Sequence, residues 1–279
     1  MDKIAIISDI HGNLEALTAV LNDIKDRGIS EIYCLGDIIH KGVHVHECIE
    51  LIKENCKVVL QGNCDDYFTK EHDIDSIQNE TEKIRIEWNK NLLTEEEKSY
   101  LQSLPLTYEF YLSGRLIRIF HASPFSQYQT IGEFADLNEI YNQFLPTNET
   151  SSQEKADIAI YGHIHTQSLK ERYNRVLINC GSIGNSLDYI RNDSKDGNEL
   201  ETTSAQYLII EGNMNSKNYN DKISYQFIRI PYDINKELYN DIYNPEKEAY
   251  SYELTRGKYR DMEKVYKNFE KYGVDIDKI

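Results

Sequence analysis

The stretch Ile4-Ala5-Ile6-Ile7-Ser8-Asp9-Ile10-His11-Gly12-Asn13 decides how the chain folds. Four apolar residues run directly into an Asp and a His. A short apolar run bounded by a turn signal reads as a strand buried on both faces. Gly12 and Asn13 supply the turn, and Asn13 suits the N-cap of a following helix. Asp9 and His11 are therefore expected at the C-terminal end of a central strand, the edge where open α/β sheets bind ligands. A single Asp-x-His carries little weight. What matters is whether other residues of the same kind reach the same edge.

Outward from this stretch, the unit recurs. Leu14, Leu17, Leu21 and Ile24 recur at helical spacing, and Gly28 follows the last turn. A second strand is expected at 31–35, running into Gly36-Asp37 and a loop with His40 and Gly42. Val45, Ile49 and Ile52 mark a helix over 43–55, and a third strand at 57–60 runs into Gly62-Asn63-Cys64-Asp65. Strands alternating with helices predict a largely parallel sheet here. Residues 68–105 read as charged helices, with Thr94 and Glu97 spaced as a capping box.

Ser113-Gly114 predicts a hairpin whose second strand ends at His121. A polar segment, 124–155, carries one helical pattern from Phe134 to Phe144. A strand at 157–161 then runs into Gly162-His163-Ile164-His165. Asn174-Arg175 marks a second hairpin, which ends at Gly181-Ser182. Residues 185–203 are polar without periodicity, and loops that long are usually functional or disordered. Strands at 205–210 and 223–231 follow, then a helical, Tyr-rich remainder, many of whose tyrosines are expected to pack its helices. The reading is one domain over 1–279, with possible lid insertions at 66–105 and 122–155 and a helical C-terminal extension at 233–279.

The chain has 279 residues and a net charge of −16. That balance argues against gripping nucleic-acid backbones or an anionic membrane surface, both of which call for clustered Lys and Arg. It leaves room for a small anionic substrate if metal ions reverse the local sign. The cysteines Cys34, Cys48, Cys56, Cys64 and Cys180 are odd in number and never spaced C-x-x-C, which is neither a disulfide framework nor a zinc ribbon. No apolar run reaches membrane-spanning length and the start does not resemble a signal peptide, so a cytoplasmic location is expected.

Five segments thus carry Asp9 and His11, Asp37, Asn63, His121, and His163 with His165 to strand ends. Seven oxygen and imidazole ligands are too many for one tetrahedral zinc. Two ions sharing a carboxylate would use them, and the mix suits manganese, iron, zinc or nickel better than calcium. His44, His46 and His72 are read as ordinary surface or hydrogen-bonded histidines.

These segments, with Gly36-Asp37-x4-Gly42, Gly62-Asn63-Cys64-Asp65 and His121-Ala122, resemble the ordered motif set of the calcineurin-like metallophosphoesterases. The stretch from Asn179 to Gly184 and the segment Arg229-Ile-Pro-Tyr-Asp233 are similar to the bacterial phosphodiesterase and diadenosine-tetraphosphatase-like subgroup. The resemblance covers roughly 3–258. It implies a four-layer α/β/β/α sandwich with helical insertions and a helical C-terminus. It further implies that Asp9, His11 and His165 hold a first divalent metal, that Asn63, His121 and His163 hold a second, and that Asp37 bridges them. The implied reaction is attack of a metal-bound hydroxide on a small phosphoester or nucleotide substrate. Asp37, Asn63, Cys64, Asp65 and His163 are the implied catalytic set, with manganese the leading metal.

The chain departs from the family pattern at Cys64, where many members have a His oriented by the following Asp. A thiol is a poor substitute for imidazolium as a proton donor. This points to phosphodiester or nucleotide pyrophosphate cleavage. His40 or His72 could restore a proton, which would favour a phosphomonoesterase or phosphoprotein phosphatase. Arg191 is the nearest arginine after Gly184 and a candidate phosphate contact. Phe125, Tyr128 and Tyr67 could stack on a base or simply pack a lid. A non-enzymatic protein-binding scaffold is the third reading, disfavoured because all seven ligand positions are filled. Oligomeric state is not legible from the sequence.

Overall fold

The apolar run Ile4 to Ile7 is fully buried, as a strand covered on both sides must be. Its side chains alternate between two hydrophobic layers, following the two-residue repeat of a strand. Ile4 and Ile6 face a second sheet, while Ala5 and Ile7 face helices. The structure, a computed structural model, describes residues 1–68, 80–132, 135–187, 203–240 and 243–257.

In chain order the first half holds β1 (Asp2–Ile7), α1 (Leu14–Asp26), β2 (Glu31–Cys34), α2 (Val45–Asn55), β3 (Val58–Val59), α3 (Asn63–Asp66), α4 (Glu80–Leu92) and α5 (Glu95–Gln102). The rest holds β4 (Thr107–Leu112), β5 (Arg115–Phe120), α6 (Leu137–Asn142), β6 (Ile158–Tyr161), β7 (Ser168–Arg172), β8 (Arg175–Asn179), β9 (Ala205–Gly212), β10 (Ser224–Ile230), α7 (Ile234–Asn240) and α8 (Lys247–Arg256).

The first sheet has the order β10-β9-β1-β2-β3. Its β1, β2 and β3 run parallel, because each is joined to the next by a helix; β9 adds antiparallel to β1's free edge and β10 antiparallel to β9. The second sheet has the order β4-β5-β6-β8-β7, with β5, β6 and β8 parallel. Two hairpins complete it. In the second, the residues with positive φ are Tyr173 and Asn174, one residue earlier than the expected Asn174-Arg175. Arg175 instead pairs with Arg172 across the ladder. A two-residue turn with both φ positive matches the twist of its strands, and this fixes the register.

Ile4, Ile6, Leu208 and Ile210 pack against Phe110, Ile117, Ile119, Ile158, Ile160 and Ile178 between the sheets. Leu17, Val20 and Ile24 of α1 and Ile49 and Ile52 of α2 cover the outer face of the first sheet. Phe144, Ile131 and Ile140 of α6 cover Phe120, Ala159, Tyr161 and Leu177 of the second. This is the four-layer α/β/β/α arrangement.

Caps fall where the side-chain chemistry places them. Asn13 Oδ1 accepts the Ala16 amide at 3.0 Å, and Thr94 with Glu97 closes a capping box on α5. The helix in the polar segment is shorter than its pattern, because Asp136 caps it and starts α6 at Leu137; Phe134 lies outside the described residues. The C-terminal tyrosines divide. Tyr250 is buried, whereas Tyr239 and Tyr243 are 80% and 82% exposed. Helix α7 buries Glu237, which turns Tyr239, two residues on, toward the opposite face.

Candidate metal centre

The C-terminal ends of the parallel strands converge. Asp9 and His11 follow β1, Asp37 follows β2, Asn63 begins α3 after β3, His121 follows β5, and His163 and His165 follow β6. Asp9, His11, Asp37, His40, His163 and His165 all have positive φ, six of the nine such non-glycine residues among those described. Each costs of order 1–3 kcal/mol, so strain is concentrated where strand ends turn their side chains inward.

Three overlapping groups of ligand atoms result among the described residues, one of them His11, Asp37 and Cys64. The ligand atoms of Asp9, His11 and His165 lie within 4.8 Å of one another, as do those of Asp37, His121 and His163. The Asp37 carboxylate stands between these last two groups, its Oδ2 at 3.8 Å from His11 Nε2 and 3.5 Å from His121 Nε2. Asn63 Oδ1 lies 3.0 Å from His121 Nε2.

Three imidazoles are anchored through Nδ1 to backbone carbonyls: His11 to Ile39 at 3.2 Å, His121 to Leu35 at 3.1 Å and His165 to Asn185 at 2.6 Å. Donation from Nδ1 leaves Nε2 as the inward atom. His11 Nε2 and His165 Nε2 then face each other at 3.1 Å, with Asp9 Oδ1 also 3.1 Å from His165 Nε2. Acceptors converging in this way require a positive charge among them, and a divalent cation fits.

Electrostatics agree. Burial would lower the His121 imidazolium, but the Asp37 carboxylate outweighs it and carries the pKa up to about 9. A proton there stands where a cation would. Burial would raise Asp9 and Asp37, but His165 and His121 respectively hold both below the usual carboxylate range. Burial and then the charge of His121 push His163 down to about 4, and burial first of all holds His11 well below its ordinary value.

Glycine is needed where the ligand loops touch. A Cβ on Gly62 would overlap Asp37, and one on Gly162 would meet Ser8 and Asp9. Asp65, expected among the catalytic residues, is fully buried. It accepts three backbone amides, from Asp37 at 2.8 Å, Ile38 at 2.9 Å and Gly62 at 3.0 Å. It brackets the end of β2 to the segment after β3 and so holds Asp37. Cys64 donates its amide to Asp37 Oδ1 at 2.8 Å. Burial and then the Asp37 carboxylate push its thiol well above the ordinary range, so it remains protonated and is a poor nucleophile.

His40 is buried, with Nε2 at 2.9 Å from Glu82 Oε1 of α4 and its ring near Tyr67 and Phe68. The segment containing α4 and α5 therefore buttresses the loop after β2. The loop after β5 lies against the centre, with Thr130 Oγ1 at 3.3 Å from His163 Nε2 and Tyr128 donating to Asp66 at 2.8 Å. Phe125 is half exposed, and Tyr67 and Tyr128 pack together. His46 bonds to Glu97 and His44 lies 3.6 Å from Glu47, and neither falls in a ligand group among the described residues. His72 and Arg191 lie outside the described residues.

Lys41, Thr130, Asn185 and Glu253 were not expected at the site. Asn185 had a local signal, a polar residue just after Gly184 beside a strand end. Lys41 and Glu253 meet across 212 positions of sequence and had none.

Comparison with known proteins adds three findings. The profile of the calcineurin-like phosphoesterase superfamily domain matches residues 2–197. The uncharacterized protein MJ0912 of Methanocaldococcus jannaschii is 35% identical over 212 residues, covering 75% of this chain and 82% of that protein. Among solved structures, a metallophosphoesterase from Sphaerobacter thermophilus superposes with a TM-score of 0.65 at 22% identity, covering 92% of this chain and 100% of that one. The hypothetical protein PH1004 from Pyrococcus horikoshii OT3 gives 0.67 at 19% identity, covering 93% and 100%. At these identities the two structures speak to the fold alone.

Proposed function

Because this chain belongs to the calcineurin-like phosphoesterase superfamily and is accordingly a metal-dependent phosphoester hydrolase, we propose that its strand-end cluster holds two divalent cations and cleaves phosphodiester or nucleotide pyrophosphate bonds. The observation that carries this reading is the Asp37 carboxylate, set between two groups of inward-facing ligand atoms. Asp9, His11 and His165 would hold one ion, Asn63, His121 and His163 the other, and Asp37 would be shared. The imidazole, carboxylate and carbonyl donors suit manganese, and also iron, zinc or nickel. Two such ions, when bound, supply Lewis acidity at the phosphoryl oxygens and a hydroxide nucleophile near neutral pH.

The chain's own residues orient and hold. The Nδ1 anchors on His11, His121 and His165 fix which nitrogen points inward. The backbone amide of His163 donates to Asp9 Oδ2 at 2.9 Å, tying the two ligand loops together. Asp65 fixes the backbone of Asp37. Cys64 stays protonated yet is too weak an acid to assist a departing alkoxide, which favours leaving groups that depart as phosphates or stabilised alkoxides.

A phosphomonoesterase is the second reading, favoured by one observation: His40 Nδ1 is buried with no hydrogen-bond partner among the described residues. A manganese-loaded panel of an aryl diester, an aryl monoester and dinucleoside polyphosphates separates the two. The diester or a polyphosphate should exceed the monoester in kcat/KM by about tenfold or more, ~1.4 kcal/mol of transition-state stabilisation. A monoester preference abolished in His40→Ala would establish the second reading. Asn63→Ala and His163→Ala should each lose more than the roughly 10–100-fold typical of outer-shell changes; activity left intact in both would overturn the ligand assignment.

A further inference from the structure

Behind His165, away from the ligand atoms, three polar side chains close a buried ring. Lys41 is 6% exposed, Asn185 1% and Glu253 0%. Lys41 Nζ donates to Asn185 Oδ1 at 2.5 Å and to Glu253 Oε2 at 3.0 Å, while Asn185 Nδ2 donates to the same Glu253 oxygen at 3.1 Å. We propose that this Lys41–Asn185–Glu253 ring positions His165 and sets the cation affinity of the Asp9–His11–His165 group, making helix α8 a working part of the centre. The inference rests on the metal-centre reading above.

The ring decides which way the Asn185 amide points. Its oxygen must meet the ammonium and its nitrogen the carboxylate, because the reverse would set donor against donor and acceptor against acceptor. In that orientation Asn185 offers His165 Nδ1 two acceptors, its backbone oxygen at 2.6 Å and its Oδ1 at 3.1 Å. Both favour a proton on Nδ1, so Nε2 keeps its lone pair and is aimed at the Asp9 and His11 ligand atoms. The amide of Asn185 is itself held by Ser182 Oγ at 2.9 Å, so the carbonyl cannot drift from the imidazole.

Lys41 reaches the same group by a second path. The next residue, Gly42, donates its amide to the His11 carbonyl at 2.7 Å, and Asn244 Nδ2 holds the Lys41 carbonyl at 2.8 Å. Helix α8 is anchored in turn, with Thr203 Oγ1 donating to the Leu254 carbonyl at 2.5 Å and Tyr250 to Glu237 at 3.3 Å. Stability alone is a weak reason for such a ring, since a buried ion pair replaced by apolar groups of similar volume is often neutral or stabilising. Orientation of a ligand is a sufficient one. Helix α8 lies beyond residues 2–197, the part matched by the superfamily profile, so the element completing this ring belongs to the chain's own C-terminal region.

Calorimetric titration of the metal-free full-length protein with manganese tests the proposal, alongside Glu253→Gln and His165→Ala. The wild type should take up two ions and His165→Ala should lose one. Glu253→Gln should keep one native affinity and weaken the other by about 10–100-fold, the usual effect of an outer-shell change. The His165 ring-nitrogen NMR signals should show the Nδ1-protonated form in the wild type and mixed tautomers in the variant. Native affinity at both sites in Glu253→Gln overturns the proposal, including when the metal-free melting temperature falls, because the ring would then be purely structural. Should Glu253→Gln not fold, the double variant Lys41→Met with Glu253→Gln removes both charges and faces the same criterion. A wild type that binds no manganese, or a His165→Ala variant that still binds two ions with native affinity, removes the metal-centre reading itself and this proposal with it.

Discussion

Asp65 carries no ligand atom, yet Asp37 depends on it. Its two carboxylate oxygens accept three backbone amides. Asp65→Asn turns one acceptor into a donor and strands a buried N–H, which should cost about 1–3 kcal/mol. Urea unfolding of the metal-free variant measures this, and an unchanged midpoint would contradict it. His121 has a different signature. Its folded pKa of about 9 lies above the ordinary 6.5. In the metal-free protein its stabilisation is therefore fully present below pH 6.5 and is lost as pH rises through 9. A cation must displace that proton, so manganese affinity should rise across the same window with proton release. Titrations in buffers of different ionisation enthalpy read the protons directly; affinity independent of pH would contradict the assignment. The candidate ligand residues were legible in the sequence because Asp, Asn and His recur immediately after apolar runs. The bracket was not, because Asp65 meets Asp37 and Ile38 only after the ends of β2 and β3 come together. The positive φ values were likewise hidden, since Asp9 and His11 have no local preference strong enough to announce them.

Among the elements, β4 and β5 anchor more than each other. Arg118 and Glu109 are directly opposed across this hairpin and both side chains are buried. The Arg118 guanidinium also donates to the carbonyls of Phe144 at 2.9 Å, Leu145 at 2.7 Å and Glu154 at 2.8 Å. Glu109 accepts from Ser151 and the Ser152 amide, each at 2.6 Å. The pair thus ties the segment after α6 to the second sheet. Arg118→Met leaves Glu109 buried and unpaired and should cost about 3–5 kcal/mol. A loss under about 1 kcal/mol, in the range of surface ion pairs, would contradict this account. Strand and helix types were legible here from period and turn residues. The register of the second hairpin was not, because the chain places positive φ at Tyr173, a residue with no turn preference. Nor was the start of α6, set by the cap at Asp136 rather than by the apolar pattern.

At the scale of the whole molecule, a chain of net charge −16 brings two carboxylates, Asp9 and Asp37, and four imidazoles, His11, His121, His163 and His165, together at one edge of two stacked sheets. The parallel strands could be read from the apolar runs, whereas the four-layer stacking was implied by the family resemblance and is seen in how the apolar faces pack. The ring that links α8 back to His165 could not be read from the sequence, because Glu253 meets Asn185 across 68 positions and Lys41 across 212 through polar atoms that no periodicity marks. Cations that bind only the folded state should raise its stability, by about 2.7 kcal/mol per site at a hundredfold excess over Kd. Thermal melting with and without manganese measures the rise, a chelator should reverse it, and an unchanged melting temperature would contradict it. The central claim is that Asp37 joins two ions into one centre, and electron paramagnetic resonance of the manganese-loaded protein addresses it most directly. The account predicts a spin-coupled two-manganese signal in the wild type that is lost in Asp37→Ala. Only isolated, uncoupled manganese in the wild type at saturation, or coupling that survives in Asp37→Ala, would contradict it.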